Sequence, residues 1–256
     1  MREESVFTDL DALSHAAADM IAEAAAIAAA PRGRFTIALS GGGTPRHLYH
    51  LLATEYVHRL PWATTHVFFG DERCVPPDHP DSNYAMDRAA LLVHIPGLES
   101  RTRRIEGERV PSDGASRYAE MLHREFPNTQ GTVPTTFDVL LLGVGTDGHT
   151  ASLFPGSPAL NERSRWVLAT QAPPTAPTRD RVTLTFPALD ASRTTLILCA
   201  GADKQSIVRQ IHVAGTGARD LYPVARVSAH GSVRWLLDRL AMGESVDVPP
   251  AGSAPR

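Results

Sequence analysis

Phe137-Asp138-Val139-Leu140-Leu141-Leu142-Gly143-Val144-Gly145-Thr146-Asp147-Gly148-His149-Thr150-Ala151-Ser152-Leu153-Phe154-Pro155-Gly156 is the stretch whose reading decides the fold. It opens as an unbroken apolar run, the pattern of a strand covered on both faces in a parallel sheet. Gly143, Gly145 and Gly148 then end the strand and permit positive φ. Into that break fall one carboxylate, Asp147, and one imidazole, His149. Ligands of open α/β sheets bind just past the carboxyl ends of the strands, so chemistry is expected here. An imidazole, whose ordinary pKa lies near neutrality, suits the task of taking a proton from water. The working expectation is that His149 is the base of a hydrolase, with Asp147 orienting its ring.

Upstream, residues 35–39 form a short apolar strand that runs into Ser40-Gly41-Gly42-Gly43-Thr44-Pro45, and a helix follows through Leu48, Leu51 and Leu52. Thr44 is the expected N-cap and Pro45 the first helical residue. Strand, glycine turn and helix start together present backbone N–H groups and a helix dipole to a phosphate. No Gly-Lys-Ser/Thr follows, and the glycines lack the dinucleotide spacing. A single phosphoryl group on a small ligand is therefore favoured over ATP or NAD.

A further strand at residues 66–69 ends in Gly70-Asp71-Glu72-Arg73, whose loop is expected beside the first. Asp71 and Arg73 are candidates for the site. The rest of the chain supplies alternating elements. Residues 9–30 read as a helix stopped by a Pro31-Arg32-Gly33 turn; 83–92 and 113–126 read as helices, and 103–105 as a short strand. Past a linker at 128–136 and the opening strand, further strands are expected at 166–170, 181–185 and 194–200. Gly201-Ala202-Asp203-Lys204 turns into a helix at 205–213. A last strand is expected at 222–227, a last helix at 232–240 and a disordered tail at 243–256. Strands alternating with helices predict a single α/β domain over residues 1–242, a doubly wound, mostly parallel sheet with helices on both faces.

Composition excludes several classes. The 256 residues are 43% hydrophobic and 21% charged with net charge −3, an ordinary globular balance with no global pull toward nucleic acid or membrane. An anionic ligand must then be held locally. Lys204 is the only lysine among many arginines. Arg179 and Arg181, before and at the start of a strand, could place one guanidinium over the same sheet edge as Lys204. Cys74 and Cys199 are far apart and outside any CxxC spacing, which fits a reducing compartment. The acidic start, Met1-Arg2-Glu3-Glu4, is unlike a signal peptide, and the alanine-rich run at 24–30 is too short to span a bilayer. A cytoplasmic protein is expected. No GxSxG elbow and no HExxH motif occurs, so a hydrolase built on His149 would use directly activated water.

Five blocks now stand in order: Leu39-Ser40-Gly41-Gly42-Gly43-Thr44-Pro45; Gly70-Asp71-Glu72-Arg73 with Asp81-Ser82-Asn83-Tyr84; the stretch from Gly145 to Phe154; Arg181-Val182-Thr183-Leu184-Thr185; and Gly201-Ala202-Asp203-Lys204. In these the chain resembles the glucosamine-6-phosphate isomerase/6-phosphogluconolactonase family, on its lactonase side. The resemblance implies hydrolysis of 6-phospho-D-glucono-1,5-lactone in the oxidative pentose phosphate pathway. It implies His149 as base with Asp147 holding the ring, and Asp71 and Arg73 in the catalytic group, Arg73 stabilising negative charge. Ser40, Gly41, Gly42, Gly43, Thr44, Arg181 and Lys204 are then expected at the 6-phosphate. No cofactor and no metal is implied, and the partner is the small-molecule substrate; oligomeric state stays open, with a monomer in keeping. The deaminases of the family carry a glutamate a few residues after the histidine and Asp-Glu-Tyr where this chain has Asp71-Glu72-Arg73. Here Thr150 to Pro155 bring no carboxylate, and the next is Glu162. Both departures favour the lactonase over a deaminase, and the lack of a basic recognition helix disfavours a non-catalytic sugar-phosphate sensor.

Overall fold

β5 (Val139–Gly143) lies at the centre of the molecule, and its residues from Val139 to Leu142 are fully buried. In the computed structural model, which describes residues 2–127 and 137–244, it pairs in parallel with β2 (Phe35–Leu39) on one side and β8 (Thr194–Cys199) on the other. β3 (Thr65–Phe69) continues the sheet beyond β2, and β9 (Ser232–Asp238) and β1 (Arg2–Phe7) continue it beyond β8. The result is a six-stranded, all-parallel sheet in the order β1-β9-β8-β5-β2-β3. From β2 the chain moves outward to β3, whereas from β5 it moves the opposite way to β8. The sheet therefore reverses direction between β2 and β5, and a crevice opens there past the strand ends.

A second sheet goes beyond the expectation. β4 (Asp71–Arg73), β6 (Val167–Gln171) and β7 (Asp180–Leu184) form a three-stranded antiparallel sheet in the order β4-β7-β6. The expected loop at 71–73 is thus a strand, and the expected strands at 166–170 and 181–185 belong to this smaller sheet. The architecture remains mostly parallel α/β with helices packed on the sheet.

α1 (Leu10–Arg32) starts on Asp9, whose carboxylate accepts the Ala12 N–H, and runs through Pro31 to a left-handed Gly33. It is long and apolar enough to cross a membrane by length and composition, yet Leu13, Ala17, Ala18, Ile21 and Ala25 are fully buried against α2 (Gly43–Ala53) and the sheet. It is a core helix. α3 (Asn83–Ala90) begins on Ser82, and α4 (Pro111–Glu125) packs on β6 and β7. α5 (Phe186–Asp190) precedes β8, and α6 (Gln205–Ala214) follows it. Residues 103–105 form no strand; only Thr102 bridges to Val67.

The C-terminal part departs most from expectation. Residues 222–227 are not a strand: α7 (Ala218–Leu221) leads into α8 (Pro223–Arg226), where Pro223 starts a helical turn and has no N–H to give a ladder. Residues 232–240 are β9 and then α9 (Arg239–Met242), not one helix. Trp235, Leu236, Leu237 and Asp238 are buried in succession because β9 is an interior strand of a parallel sheet whose faces are covered, α1 packing on one of them, and that four-residue run imitates a helical face. β1 has no sequence signal of its own. Gly243 caps α9 and Glu244 donates its N–H to Arg239, so the described part of the expected tail is ordered. The linker at 128–136 and the tail from 245 onward lie outside the described residues.

Candidate active site

His149 leaves the end of β5 in a turn closed by backbone hydrogen bonds: the Gly145 N–H donates to the His149 carbonyl and the Gly148 N–H to the Gly145 carbonyl, each at 2.9 Å. Gly145 has to be glycine, because a Cβ there would stand 2.0 Å from His149 Nδ1. The Asp147 carboxylate accepts from the His149 backbone N–H at 3.0 Å and from ring Nδ1 at 2.5 Å. Partial burial works against the charged form of Asp147, but the hydrogen bond and charge of His149 outweigh it and hold the carboxyl below its ordinary range. An ionised carboxylate only accepts hydrogen bonds, so Nδ1 carries the proton. Nε2 is left as the basic nitrogen. The imidazole is tilted against Phe154, with ring centroids 4.6 Å apart.

Beyond His149 the chain is fastened to the small sheet. Ser152 donates its N–H to Thr183 Oγ1 at 3.1 Å and its hydroxyl to Asp71 Oδ2 at 2.5 Å. Ala151, just before it, holds a left-handed φ of 47°, a conformation that costs a residue with a Cβ about 1–3 kcal/mol. The contacts of Ser152, and the hydrogen bond from the Thr150 hydroxyl to the Gly143 carbonyl at 2.9 Å, fix it.

On the other wall of the crevice, β2 ends in the glycine turn. Tyr49 of α2 clasps the Ser40 peptide, its hydroxyl accepting from Ser40 N–H at 2.9 Å and donating to Ser40 O at 2.8 Å. Gly42 takes φ 106° and ψ 173°, a region open to glycine alone, and caps α2 without any side-chain hydrogen bond. Thr44 is therefore not the cap; α2 begins one residue before it, at Gly43. The first turn of α2 carries no acidic residue, and its N–H groups have no capping side chain competing for them. That is a seat for an anion.

The cations come from the small sheet and from the turn after β8. Arg73 and Arg181 are direct cross-strand partners of β4 and β7. Arg73 Nη1 donates to the Asp81 carbonyl at 2.6 Å. Arg181 is buried, and its Nη1 has no hydrogen-bond partner among the described residues. Burial, and then the charge of Arg73, push the Arg181 guanidinium below its ordinary range. Like charges directly opposite across a ladder are unfavourable, and a buried donor without a partner costs about 1–3 kcal/mol. Lys204, paired at 2.9 Å with Asp203, completes the set. Its turn is anchored by Asp238 at the end of β9, which accepts the Gly201 N–H at 3.0 Å. The proline-rich loops at residues 74–82 and 173–178 meet nearby, where the Thr178 hydroxyl donates to Asp81 Oδ2 at 2.7 Å.

All these parts line one cleft of ≈ 310 Å³: Ser40, Gly41, Gly42, Gly43, Thr44, Asp71, Arg73, His149, Arg181 and Lys204. Of the predicted residues only Asp147 does not border it, standing behind the imidazole it orients. Arg179, the alternative to Arg181, lies outside the cleft with Nη2 3.4 Å from Gln171 Oε1. It faces a larger groove of ≈ 1060 Å³ that touches the cleft only through Phe154 and Ala172 and, Arg179 apart, holds none of the predicted residues. The structure adds Asn83 and Ser152. Both stand in the quoted motifs without a role, since neither is ionisable and sequence spacing gives no sign that either meets Asp71.

Known proteins resemble the chain in sequence and fold. The sequence profile of the family described as glucosamine-6-phosphate isomerases/6-phosphogluconolactonase matches residues 8–235. A curated 6-phosphogluconolactonase from Nostoc sp. is 40% identical over 244 residues, covering 93% of this chain and 96% of its own. The 6-phosphogluconolactonase of Homo sapiens is 37% identical over 241 residues, covering 93% and 91%. Among solved structures, the 6-phosphogluconolactonase from Trypanosoma cruzi superposes with a TM-score of 0.82 at 31% identity over 97% of each chain. A monomeric glucosamine-6-phosphate deaminase shares the fold, with a TM-score of 0.78 at 20% identity, over 95% of this chain and 100% of its own.

Proposed function

The chain belongs to the glucosamine-6-phosphate isomerase/6-phosphogluconolactonase family, and on that footing we propose how its cleft hydrolyses 6-phospho-D-glucono-1,5-lactone to 6-phospho-D-gluconate. The observation that carries the reading is one cleft lined both by His149, backed by Asp147, and by Arg181, a buried guanidinium with one donor unpartnered among the described residues. A base and an anion seat are what a phosphorylated ester requires.

Arg181, Lys204 and the N–H groups at Gly42, Gly43 and Thr44 hold the 6-phosphate. Ser40 and Gly41 form the floor of that seat. Fixing the ring in this way can remove about 7–11 kcal/mol of the barrier in favourable cases, although the phosphate does not react. Water bound against His149 gives a proton to Nε2 as its oxygen adds to C1, and the carbonyl oxygen takes the negative charge. Arg73 stabilises that charge. Collapse of the tetrahedral intermediate breaks the bond from C1 to the ring oxygen, which leaves with the proton from His149. Asp71, held by Ser152 and Asn83, keeps β4 and its arginine in place. Thr150 to Pro155 supply no carboxylate to relay a proton in amino-sugar ring opening, so ester opening is the reaction favoured.

The same reading takes the protein as a cytoplasmic enzyme of a small-molecule substrate, one domain over residues 1–242 that works without cofactor, nucleic acid or membrane. The test is a pH-stat assay with freshly prepared 6-phosphogluconolactone, measuring acid release against the spontaneous rate. Acid release at the spontaneous rate, with ammonia formed from glucosamine 6-phosphate instead, would reverse the assignment.

A further inference from the structure

Gly41 is a glycine for a different reason from its neighbour Gly42. Its φ lies outside the left-handed region, so the backbone would accept any L-residue. What forbids a side chain is Asn83: a Cβ on Gly41 would come 1.8 Å from Asn83 Oδ1 and 2.3 Å from its Cγ. The same amide donates through Nδ2 to the Asp71 carbonyl at 2.9 Å and to Asp71 Oδ1 at 3.3 Å. Asn83 is thus wedged between the turn that ends β2 and the strand that carries Arg73. It is buried and borders the cleft.

Its own placement is rigidly set by Glu72. That buried carboxylate accepts from the backbone N–H groups of Arg73 and Asn83 at 2.7 Å, from Tyr84 N–H at 2.8 Å and from the Ser82 hydroxyl at 3.0 Å. One side chain from β4 therefore receives the start of α3, and α3 in turn hands its first side chain back to β4 and the glycine turn. This network takes no part in the bond changes proposed above. Its consequence is geometric: the N–H groups that start α2 and the guanidinium of Arg73 keep one spacing.

We propose that Asn83 is a positioning residue for the lactone hydrolysis, locking Gly41 and Asp71 together so that the phosphate seat and the cationic strand form one rigid cradle. This rests on the functional reading above. The expected signature is a loss of substrate binding larger than the loss of turnover, because the clamp acts on the groups that seat the phosphate.

The experiment is a double-mutant cycle on Gly41→Ala and Asn83→Ala, with the near-isosteric Asn83→Asp beside it. KM, kcat and melting temperature are measured for each. Asn83→Ala and Asn83→Asp should raise KM about tenfold while kcat falls less than threefold, a split that a merely structural residue would not produce; tenfold corresponds to about 1.4 kcal/mol. Gly41→Ala should lose more than Asn83→Ala, and the double variant should recover at least about tenfold in kcat/KM over Gly41→Ala, since removing the amide frees the space for the new methyl. Wild-type constants in both Asn83 variants, or a double variant no better than Gly41→Ala, would overturn the proposal. Should Gly41→Ala not fold, Asn83→Asp alone decides. If the wild-type protein has no lactonase activity, the functional reading fails instead; 6-phosphogluconate titrated calorimetrically into wild type and Asn83→Asp then still tests the clamp, which predicts weaker binding by the variant.

Discussion

The two sheets contribute to the cleft in opposite ways. The large parallel sheet gives no strand side chain to the chemistry. Its central strands are covered on both faces, so only the segments past their ends, the glycine turn after β2, the Asp147–His149 turn after β5 and the Lys204 turn after β8, can reach a ligand. The small antiparallel sheet gives side chains from within its strands, Asp71 and Arg73 on β4 and Arg181 on β7. Backbone dipoles, the base and Lys204 thus come from loops, whereas the two arginines come from strands. A charge on a strand is held by its ladder and does not wander, which suits an anchor. A base in a short glycine-framed turn can be oriented by one neighbour, here Asp147.

The sharpest way to break this division is His149→Ala, which removes the base and leaves every anchor. Its kcat/KM should fall by about 10²–10⁴, with binding of 6-phosphogluconate retained by calorimetry. Lost binding would mean that the turn after β5 also seats the phosphate. Arg181→Ala tests the opposite sheet, and its effect should sit in KM, rising about 10–100-fold, in keeping with about 1.5–3 kcal/mol for a hydrogen bond to a charged group. A fall in kcat alone would move Arg181 from anchor to transition state.

Gly42→Ala probes backbone rather than charge. No atom lies within 4 Å of a Cβ there, so the penalty is purely conformational, about 1–3 kcal/mol, read as a lower melting temperature together with a raised KM. An unchanged melting temperature would show that the turn relaxes without loss.

The smallest effect concerns Asp87, buried on α3, with neither carboxyl oxygen hydrogen-bonded among the described residues. Burial first, then the nearby Glu72 and Asp71 charges, raise its carboxyl well above the ordinary 3.8. The folded state therefore keeps a proton that the unfolded chain gives up. Stability from this group is whole below the unfolded value and is lost as pH rises from there toward the folded one. Asp87→Asn, which needs no proton, should match wild type near pH 4 and melt a few degrees higher near pH 8. Equal melting curves at both pH values would show that the carboxyl is not protonated in the fold.

Legibility in the sequence divides the same way. The central strands can be read because a doubly covered strand announces itself as an apolar run, and their turns because glycines mark them. The base and the phosphate turn are visible for that reason. The small sheet cannot be read as a sheet: β4 is three residues long, and its partner lies more than a hundred positions away. Arg73 and Arg181 are candidates singly, but that they face each other is a fact of register. β9 reads as a helix because burial on both faces hides the period that separates strand from helix, and β1 escapes notice because nothing in Arg-Glu-Glu-Ser-Val-Phe announces a partner at the far end of the chain. Thr44 is misplaced as a cap because a glycine in an extended, positive-φ state starts the helix without a side chain.

That far-end pairing has a consequence for how the molecule is made. β1 bonds only to β9 within the large sheet, and β9 slots between β1 and β8. On a ribosome adding about 5–20 residues per second, every group that lines the cleft has been added to the chain before β9 is made. Until it arrives, the first strand made has no neighbour and β8 shows an open edge, the kind of edge to which another chain can add. The last strand among the described residues is therefore what protects the nascent sheet from its own copies.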